Sequence, residues 1–361
     1  MERVIVDPST CVTSAYLIYR AGEGPSGGTG FIGARTLRYA LEKGYHVRAS
    51  VRSEQKAETL RKSLASFGTK LEVVLVPDIL AAGAYDEAVK GVTYAVHIAS
   101  PLPSGSVNDD LDALIIQPAI SGTVEMLRSC AKESSVKRVV ITSSTVAIHP
   151  FTVMIGLDSA GDKVYTPEDR APDVEPPFPA TFAAYVQSKI ASLRAAEEWM
   201  VENKPSFDMI TIHPSFVGGI NDTAKRAADL LEGTNPFFLA PVLGKEVSKS
   251  VGANIANVVD VGDVAKAHIE ALDERVQGNQ AFLLTNKGGD VAWNDAKAVV
   301  AKYYPHAVGK QLPNDGNIEP HFFVNMDIEK TEKTFGRLKS FEDTIGSLTG
   351  QYLDLLAKEA M

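Results

Sequence analysis

The sequence predicts an α/β protein with a doubly wound parallel sheet and a smaller, discontinuous C-terminal lobe. From about residue 30 to 275, short β-rich runs alternate with segments of helical periodicity, which is the pattern of βαβ units. A glycine-rich turn opens the first helical segment. After Pro214 the alternation loosens, and glycine and proline become frequent. We therefore expect the sheet mainly in residues 1–217, with 250–285 partly returning to it, and the smaller lobe mainly in 218–361.

The individual elements follow from the spacing of apolar residues. Strands are predicted where short apolar, β-branched runs occur, at residues 15–19, 45–51, 71–76, 94–99, 138–142 and 209–213. Helices are predicted where apolar residues recur every three or four positions, at residues 31–43, 116–133, 182–203, 294–303 and 341–358. The proline-rich stretch 167–179 is predicted to be a surface loop. In such sheets ligands bind beyond the carboxyl ends of the strands, so functional residues are expected in the loops that follow them.

Composition excludes several classes of protein. The 361 residues are 45% hydrophobic and 22% charged, which is typical of a globular chain and not of a disordered one. The net charge of −9 argues against nucleic acid as a partner, because phosphate binding needs a basic face. No apolar run approaches the roughly 18 residues of a membrane span. Two cysteines, Cys11 and Cys130, and a charged, proline-containing start favour a cytoplasmic protein without disulfides or a signal peptide.

The glycine-rich turn predicts a dinucleotide site. It reads Gly27-Gly28-Thr29-Gly30-Phe31-Ile32-Gly33. Glycines permit a tight turn and close approach of a pyrophosphate, and the helix N-terminus offers unpaired N–H groups. Seven residues that include Pro25 separate this turn from the strand predicted at 15–19, an unusual interruption. Either the loop is longer than usual, or residues 1–26 are not the N-terminus on which the fold was built.

The end of the second predicted strand indicates which dinucleotide binds. An NAD site places an acidic residue there to hold the ribose 2′-hydroxyl. This sequence instead has Arg52, with Lys56 one turn later. A guanidinium can bind a 2′-phosphate bidentately, so the sequence favours NADPH, although both cations could be ordinary surface charges. After the third strand, Asp78 and Ile79 are expected to contact the adenine.

A candidate catalytic group combines a helix with a strand end. Tyr185 and Lys189 are four residues apart near the start of a predicted helix, so they share one face. An ammonium stabilises phenolate and lowers the pKa of a phenol from its usual value near ~10. The strand predicted at 138–142 ends in Ser143 and Ser144, at the carboxyl edge of the sheet. Each motif also occurs by chance, so the prediction depends on their combination with the glycine turn.

Together these motifs resemble the extended short-chain dehydrogenase/reductase superfamily, and within it the dihydroflavonol-4-reductase-like carbonyl reductases. That group includes fungal ketoreductases, aldehyde reductases and methylglyoxal reductases. The resemblance extends from Gly27 to Leu356 and implies a Rossmann-like fold. It places Ser144, Tyr185 and Lys189 at the catalytic positions. It also implies cofactor contacts beside the nicotinamide, at Ala99, Ser100, Pro214 and Val217.

The resemblance implies that NADPH gives a hydride to a ketone or aldehyde. Ser144 is expected to hold the carbonyl oxygen, Tyr185 to donate the proton, and Lys189 to lower the pKa of Tyr185 and bind the nicotinamide ribose. A polyketide-type ketone of secondary metabolism and a small aldehyde both suit such a site. Monomer and homodimer both stay open. Four phenylalanines either line an apolar pocket or pack in the core, namely Phe237, Phe238, Phe322 and Phe323.

Two other functions stay open. A sugar-nucleotide epimerase or dehydratase of the same superfamily shares the catalytic residues, but Arg52 disfavours its usual NAD. A regulatory protein that senses NADPH without turnover would not need both Tyr185 and Lys189. No metal site is expected, because the seven histidines are scattered and His268 is interpreted as a packing or surface residue. A hydrolase is not expected either, since no Gly-x-Ser-x-Gly motif is present.

Overall fold

A computed structural model describes residues 14–18, 30–98, 106–251, 254–319 and 321–361. Within these ranges the strands are β1 (Ser14–Ile18), β2 (His46–Val51), β3 (Leu71–Leu75), β4 (Tyr94–His97), β5 (Arg138–Thr142), β6 (Val164–Tyr165), β7 (Asp208–Pro214), β8 (Phe216–Gly218), β9 (Asn254–Ile255), β10 (Val258–Asp260), β11 (Gln280–Leu284), β12 (His321–Phe322) and β13 (Asn325–Met326). The helices are α1 (Phe31–Glu42), α2 (Glu54–Ser63), α3 (Gln117–Lys132), α4 (Phe151–Met154), α5 (Thr181–Asn203), α6 (Asn235–Leu243), α7 (Lys245–Val251), α8 (Val261–Glu270), α9 (Ala296–Tyr303), α10 (Glu329–Phe335) and α11 (Phe341–Glu359).

Seven parallel strands form the central sheet in the order β3-β2-β1-β4-β5-β7-β11. The order reverses between β1 and β4, which is where a doubly wound sheet opens a ligand crevice at the carboxyl ends of its strands. The predicted α/β fold class is therefore confirmed. Each strand predicted from sequence lies in this sheet, with ends that differ from the prediction by at most two residues. Short parallel pairs, such as β8 with β10, lie outside the central sheet.

Apolar periodicity explains how the helices cover the sheet. In α1 the residues Ala34, Leu37 and Leu41 are buried, and this spacing of three and four makes one apolar face. That face packs beside α8, while α3 and α5 pack together near β4 and β5. The strand β5 is buried throughout, including Arg138. Its guanidinium holds Asp208 bidentately, with Nε–Oδ1 at 2.6 Å and Nη2–Oδ2 at 3.0 Å, so the buried charge is paired.

The C-terminal part of the chain is more regular than the sequence prediction, as α6 and β11 illustrate. Residues 218–241 were expected to be irregular, yet α6 forms at their end. Pro236 lies in the first turn of α6, where no N–H is needed, so it does not prevent the helix. The strand β11 was not predicted individually, although the return of 250–285 to the sheet was.

A separate apolar core lies in the residues after 215. Phe238 is fully buried there, with its ring 5.2 Å from that of Trp293 and 6.0 Å from that of Phe341. Phe237 packs against Trp293 in the same core, so these two phenylalanines serve packing. Phe323 is exposed, and the side chain of Phe322 lies outside the described residues. We propose that residues 218–361, apart from 250–285, form the smaller lobe around this core.

None of the helices that the structure describes is long and apolar enough to cross a membrane.

Candidate active site

Gly30 is the first residue of the glycine-rich segment that the structure describes, and it leads into α1, the helix that follows β1 at the reversal point of the sheet. Gly30 is the N-cap residue of α1, and its carbonyl accepts the first helical hydrogen bond from Ala34 at 2.9 Å. Among the described atoms, nothing would lie within 4 Å of a Cβ at Gly30, and the first turn carries no acidic residue. An open helix N-terminus of this kind fits a phosphate. Phe31 and Ile32 pack against the core and Gly33 is buried in α1, whereas Gly27 and Thr29 lie outside the described residues.

Two cations follow the carboxyl end of β2. Arg52 is exposed and Lys56 is half-buried, and neither forms an ion pair with a carboxylate that the structure describes. Burial lowers the pKa of Lys56, and the charge of Arg52 lowers it further. The two cations therefore repel each other, and an anion placed between them would relieve that repulsion.

Asp78 and Ile79 lie beyond β3, beside this position. Asp78 is exposed, and its Oδ1 accepts a hydrogen bond from the Leu80 backbone at 2.9 Å, which fixes the turn. The side chain of Ile79 covers Gly122 in α3, where a Cβ would approach Ile79 Cδ1 to 3.1 Å. The loop after β3 thus presents a carboxylate and an apolar edge together.

The structure brings Tyr185 and Lys189 together in the first three turns of α5. The Lys189 ammonium lies 5.8 Å from the centre of the Tyr185 ring. Ser144 follows β5 and caps a short turn, in which its Oγ accepts from the Val146 backbone at 3.4 Å. That turn packs against α5, because Val146 and Ala147 share an apolar cluster with Tyr185. The three predicted catalytic residues therefore occupy neighbouring elements at one edge of the sheet.

Burial dominates the electrostatics of this pair. It raises the pKa of Tyr185 to about 12 and lowers the pKa of Lys189 to about 8, so both groups are shifted toward their neutral forms. Without cofactor, burial therefore outweighs any lowering of the Tyr185 pKa by the ammonium, and that lowering stays a prediction. Two buried histidines lie nearby, and burial lowers the pKa of His97 and of His213 to about 3. Both are neutral at physiological pH.

Two of the residues expected beside the nicotinamide are described: Pro214 ends β7, and Val217 lies in β8. The Pro214 carbonyl at the end of β7 accepts a hydrogen bond from Ser144 Oγ at 3.4 Å. Val217 is buried in β8, and its carbonyl accepts a hydrogen bond from the Thr234 hydroxyl. Ala99 and Ser100 directly follow the last described residues after β4, and they lie outside the described ranges.

Sequence reasoning missed an aromatic wall beside Tyr185. The ring of Phe182 stacks on that of Tyr185, with centroids 5.8 Å apart and planes at 25°. The available signal was the spacing, because positions three apart on a helix share a face. Further partly buried aromatic side chains join these clusters, namely Phe151, Phe178 and Phe216.

The proline-rich loop before α5 is held in place over this wall. The Gln187 side chain accepts from the Val174 backbone and donates to Asp173 Oδ1, both at 2.7 Å. Arg194 pairs with the same carboxylate at 2.8 Å. Both Gln187 and Arg194 belong to α5, so the helix that carries Tyr185 also positions the loop.

Comparison with known proteins identifies the family. The profile of the NAD dependent epimerase/dehydratase family matches residues 26–284. The chain is 35% identical to "Ketoreductase CTB6" of Cercospora nicotianae, over 92% of this chain and 95% of that protein. It is 30% identical to "Aldehyde reductase 2" of Sporidiobolus salmonicolor, over 90% and 94% respectively.

Solved structures show the same fold. The structure titled "SsCR_L211H" has a TM-score of 0.77 and 28% identity, and the match covers 95% of this chain and 100% of that one. Yeast methylglyoxal/isovaleraldehyde reductase Gre2 complexed with NADPH has a TM-score of 0.75 at 23% identity, with 96% and 99% covered. The chain belongs to the NAD dependent epimerase/dehydratase family, the extended short-chain dehydrogenase/reductases that its motifs predicted.

Proposed function

We propose that this chain is an NADPH-dependent carbonyl reductase, which reduces a ketone or an aldehyde to an alcohol. One observation carries the proposal. Tyr185 and Lys189 meet on one face of α5, beside the turn of Ser144, at the carboxyl edge of a doubly wound sheet. Relatives named ketoreductase and aldehyde reductase, which align with about nine-tenths of the chain, support this chemistry.

Two cations that follow β2 support NADPH over NAD as the cofactor. Arg52 and Lys56 lie where an NAD site would have a carboxylate, and no described acidic residue pairs with either. A 2′-phosphate carries the negative charge that such a pair would hold. The Gre2 fold, which the chain shares, was solved with NADPH bound. A sugar-nucleotide epimerase would be expected to use NAD, and the end of β2 lacks the acidic residue that would favour NAD.

NADPH, when bound, supplies the hydride that the carbonyl carbon receives. The chain supplies placement and the proton. Among the described residues, Ser144 Oγ donates only to Pro214 O, at a long 3.4 Å, so it can turn to donate to a carbonyl oxygen. Tyr185 carries its proton at physiological pH, as a phenol does, and burial raises its pKa further. It gives that proton to the oxygen as negative charge develops there. The Lys189 ammonium stabilises the phenolate that remains.

The surroundings of Tyr185 support an apolar substrate. Phe182 covers one face of its ring, and burial is the cause of its raised pKa, with no contribution from a charged neighbour. A polyketide-type ketone of secondary metabolism can pack against these aromatic side chains, whereas a charged sugar nucleotide would lose hydration there without a compensating charge. A cytoplasmic location and a monomeric or homodimeric state stay predictions.

The test is oxidation of NADPH by the purified protein with a panel of uncharged ketones and aldehydes, followed by loss of reduced-nicotinamide absorbance. Turnover of at least one carbonyl, and faster turnover with NADPH than with NADH, are expected. Binding of NADPH without turnover across the panel would instead indicate a sensor. Turnover of a sugar nucleotide with NAD, and of no simple carbonyl, would indicate an epimerase or dehydratase.

A further inference from the structure

His268, which the mechanism does not use, is a fully buried histidine with a defined proton position. Its Nδ1 lies 2.7 Å from the Val264 carbonyl, and its Nε2 lies 2.6 Å from Thr142 Oγ1. A carbonyl only accepts, so Nδ1 carries the proton. Burial lowers the pKa of His268 to about 4, so the ring is neutral and Nε2 has no proton. The Thr142 hydroxyl must therefore donate to His268.

Because its one hydrogen is donated to His268, the Thr142 hydroxyl can only accept hydrogen bonds from its other neighbours. Thr142 lines a cavity of about 10 Å³ between β5, α3 and α5, close to the smallest volume that holds one water molecule. Thr123 also lines it, and its hydroxyl donates to the Ala119 carbonyl at 2.9 Å. Ser143 lines it as well, with a buried Oγ that has no hydrogen-bond partner among the described atoms. The two threonine hydroxyls consequently offer lone pairs to the cavity, and the Ser143 hydroxyl can accept or donate there.

Lys189 lines the same cavity and needs acceptors. It is only 5% exposed, and it forms no ion pair or hydrogen bond through its ammonium with a residue that the structure describes. The titratable groups that face it among those residues are His97 from β4, His213 from β7 and Tyr185 from its own helix. All three are uncharged at physiological pH, so no negative charge there balances the ammonium.

We propose that His268 is a positioning residue for Lys189. His268 accepts the hydrogen bond of Thr142, so the Thr142 hydroxyl turns its lone pairs toward the cavity. A water molecule in the cavity donates to that hydroxyl and accepts a hydrogen bond from the Lys189 ammonium. That Lys189 acts in carbonyl reduction rests on the proposed function. The hydrogen-bond chain from His268 through Thr142 to Lys189 does not depend on it. His268 lies 126 residues from Thr142 in sequence and touches neither cofactor nor substrate in this scheme.

The test is the titration of Lys189 in the cofactor-free protein, by NMR of ¹³Cε-labelled lysine, with the signal assigned from Lys189→Arg. Hydrogen bonds to the charged form raise a lysine pKa, so their loss should lower it. We expect Thr142→Val, which keeps the side-chain shape, and His268→Leu each to move the Lys189 titration about one pH unit lower. The double variant should move it no further than either single one.

Two matched variants complete the design. His268→Gln offers an acceptor to Thr142 and a donor to Val264, so it should restore the wild-type titration. Thr349→Val removes another buried hydroxyl, in α11 and away from the cavity, and should leave the titration unchanged. An unchanged titration in Thr142→Val would overturn the inference, as would a shift in that variant but none in a folded His268→Leu. Failure of the carbonyl panel would overturn the proposed function and leave this result standing.

Discussion

The two ends of the proposed cofactor site differ in how far their charged groups are exposed to water. At the adenosine end, Arg52 and Lys56 are exposed or half-buried, and they lack a described acidic partner. At the nicotinamide end, Lys189 is buried and Tyr185 is half-buried, and loss of water around them shifts both pKa values. Exposed charges are screened by salt, whereas buried ones are screened much less. Affinity for the cofactor should therefore depend on ionic strength, while proton transfer should depend on pH.

Replacing Tyr185 with phenylalanine gives the largest expected effect. A positioned general acid contributes about 10²–10⁴-fold to rate, so kcat should fall by that factor in Tyr185→Phe. The dissociation constant for NADPH should stay within about twofold of wild type, because the ring remains stacked on Phe182. Steady-state kinetics and cofactor fluorescence measure the two quantities. Wild-type turnover in this variant would mean that another group donates the proton.

Removing the cation at β2 tests the other end of the site. Arg52→Gln should weaken NADPH binding by about 10–100-fold, the value of a lost charge-assisted hydrogen bond, and should leave NADH binding unchanged. The wild-type preference for NADPH should also decline as salt is raised. Arg61→Gln is the matched control, because Arg61 lies on α2 but pairs with Glu54 at 2.6 Å. Equal losses for both cofactors would rule out a 2′-phosphate contact.

The pH profile tests the buried end. Burial lowers the Lys189 pKa to about 8 in the free protein, so the ammonium is present below that pH and is lost as pH rises through it. If the ammonium is needed, kcat/KM should fall about tenfold per pH unit above that value, since kcat/KM reports groups of the free enzyme. A flat profile from pH 7 to 10 would argue against a charged Lys189.

The smallest expected effect concerns substrate choice. Phe182→Ala should raise KM for an aryl ketone about five- to tenfold, through loss of an aromatic contact and of buried area, and should leave KM for a small aldehyde unchanged. Phe323→Ala, at an exposed phenylalanine, is the matched control. Equal losses for both substrates would instead assign Phe182 to the positioning of Tyr185.

The sequence predicted those features that depend on local spacing. The strand β5 begins and ends where predicted, and α11 does so within one residue, helped by a cap in which Ser340 Oγ accepts from the Asp343 backbone at 3.1 Å. Tyr185 and Lys189 share a face because of their four-residue spacing.

Features that depend on distant contacts could not be predicted. The apolar run of β11 is too short to show a period, so its place in the sheet depends on pairing with β7. His268 looked like a packing residue because its partner, Thr142, lies 126 positions away. The raised pKa of Tyr185 likewise comes from burial, which the Tyr-x-x-x-Lys spacing does not reveal.

The central claim is that Tyr185, Lys189 and Ser144 act on a carbonyl placed beside the reactive ring of NADPH. Incubation with NADPH that carries deuterium at C4, on the side that is transferred, and with an accepted ketone tests it most directly. Mass spectrometry of the alcohol should show one deuterium on the carbinol carbon with the wild type, and almost none in the same time with Tyr185→Phe. An alcohol that forms without deuterium, or forms equally fast in both proteins, would contradict the account.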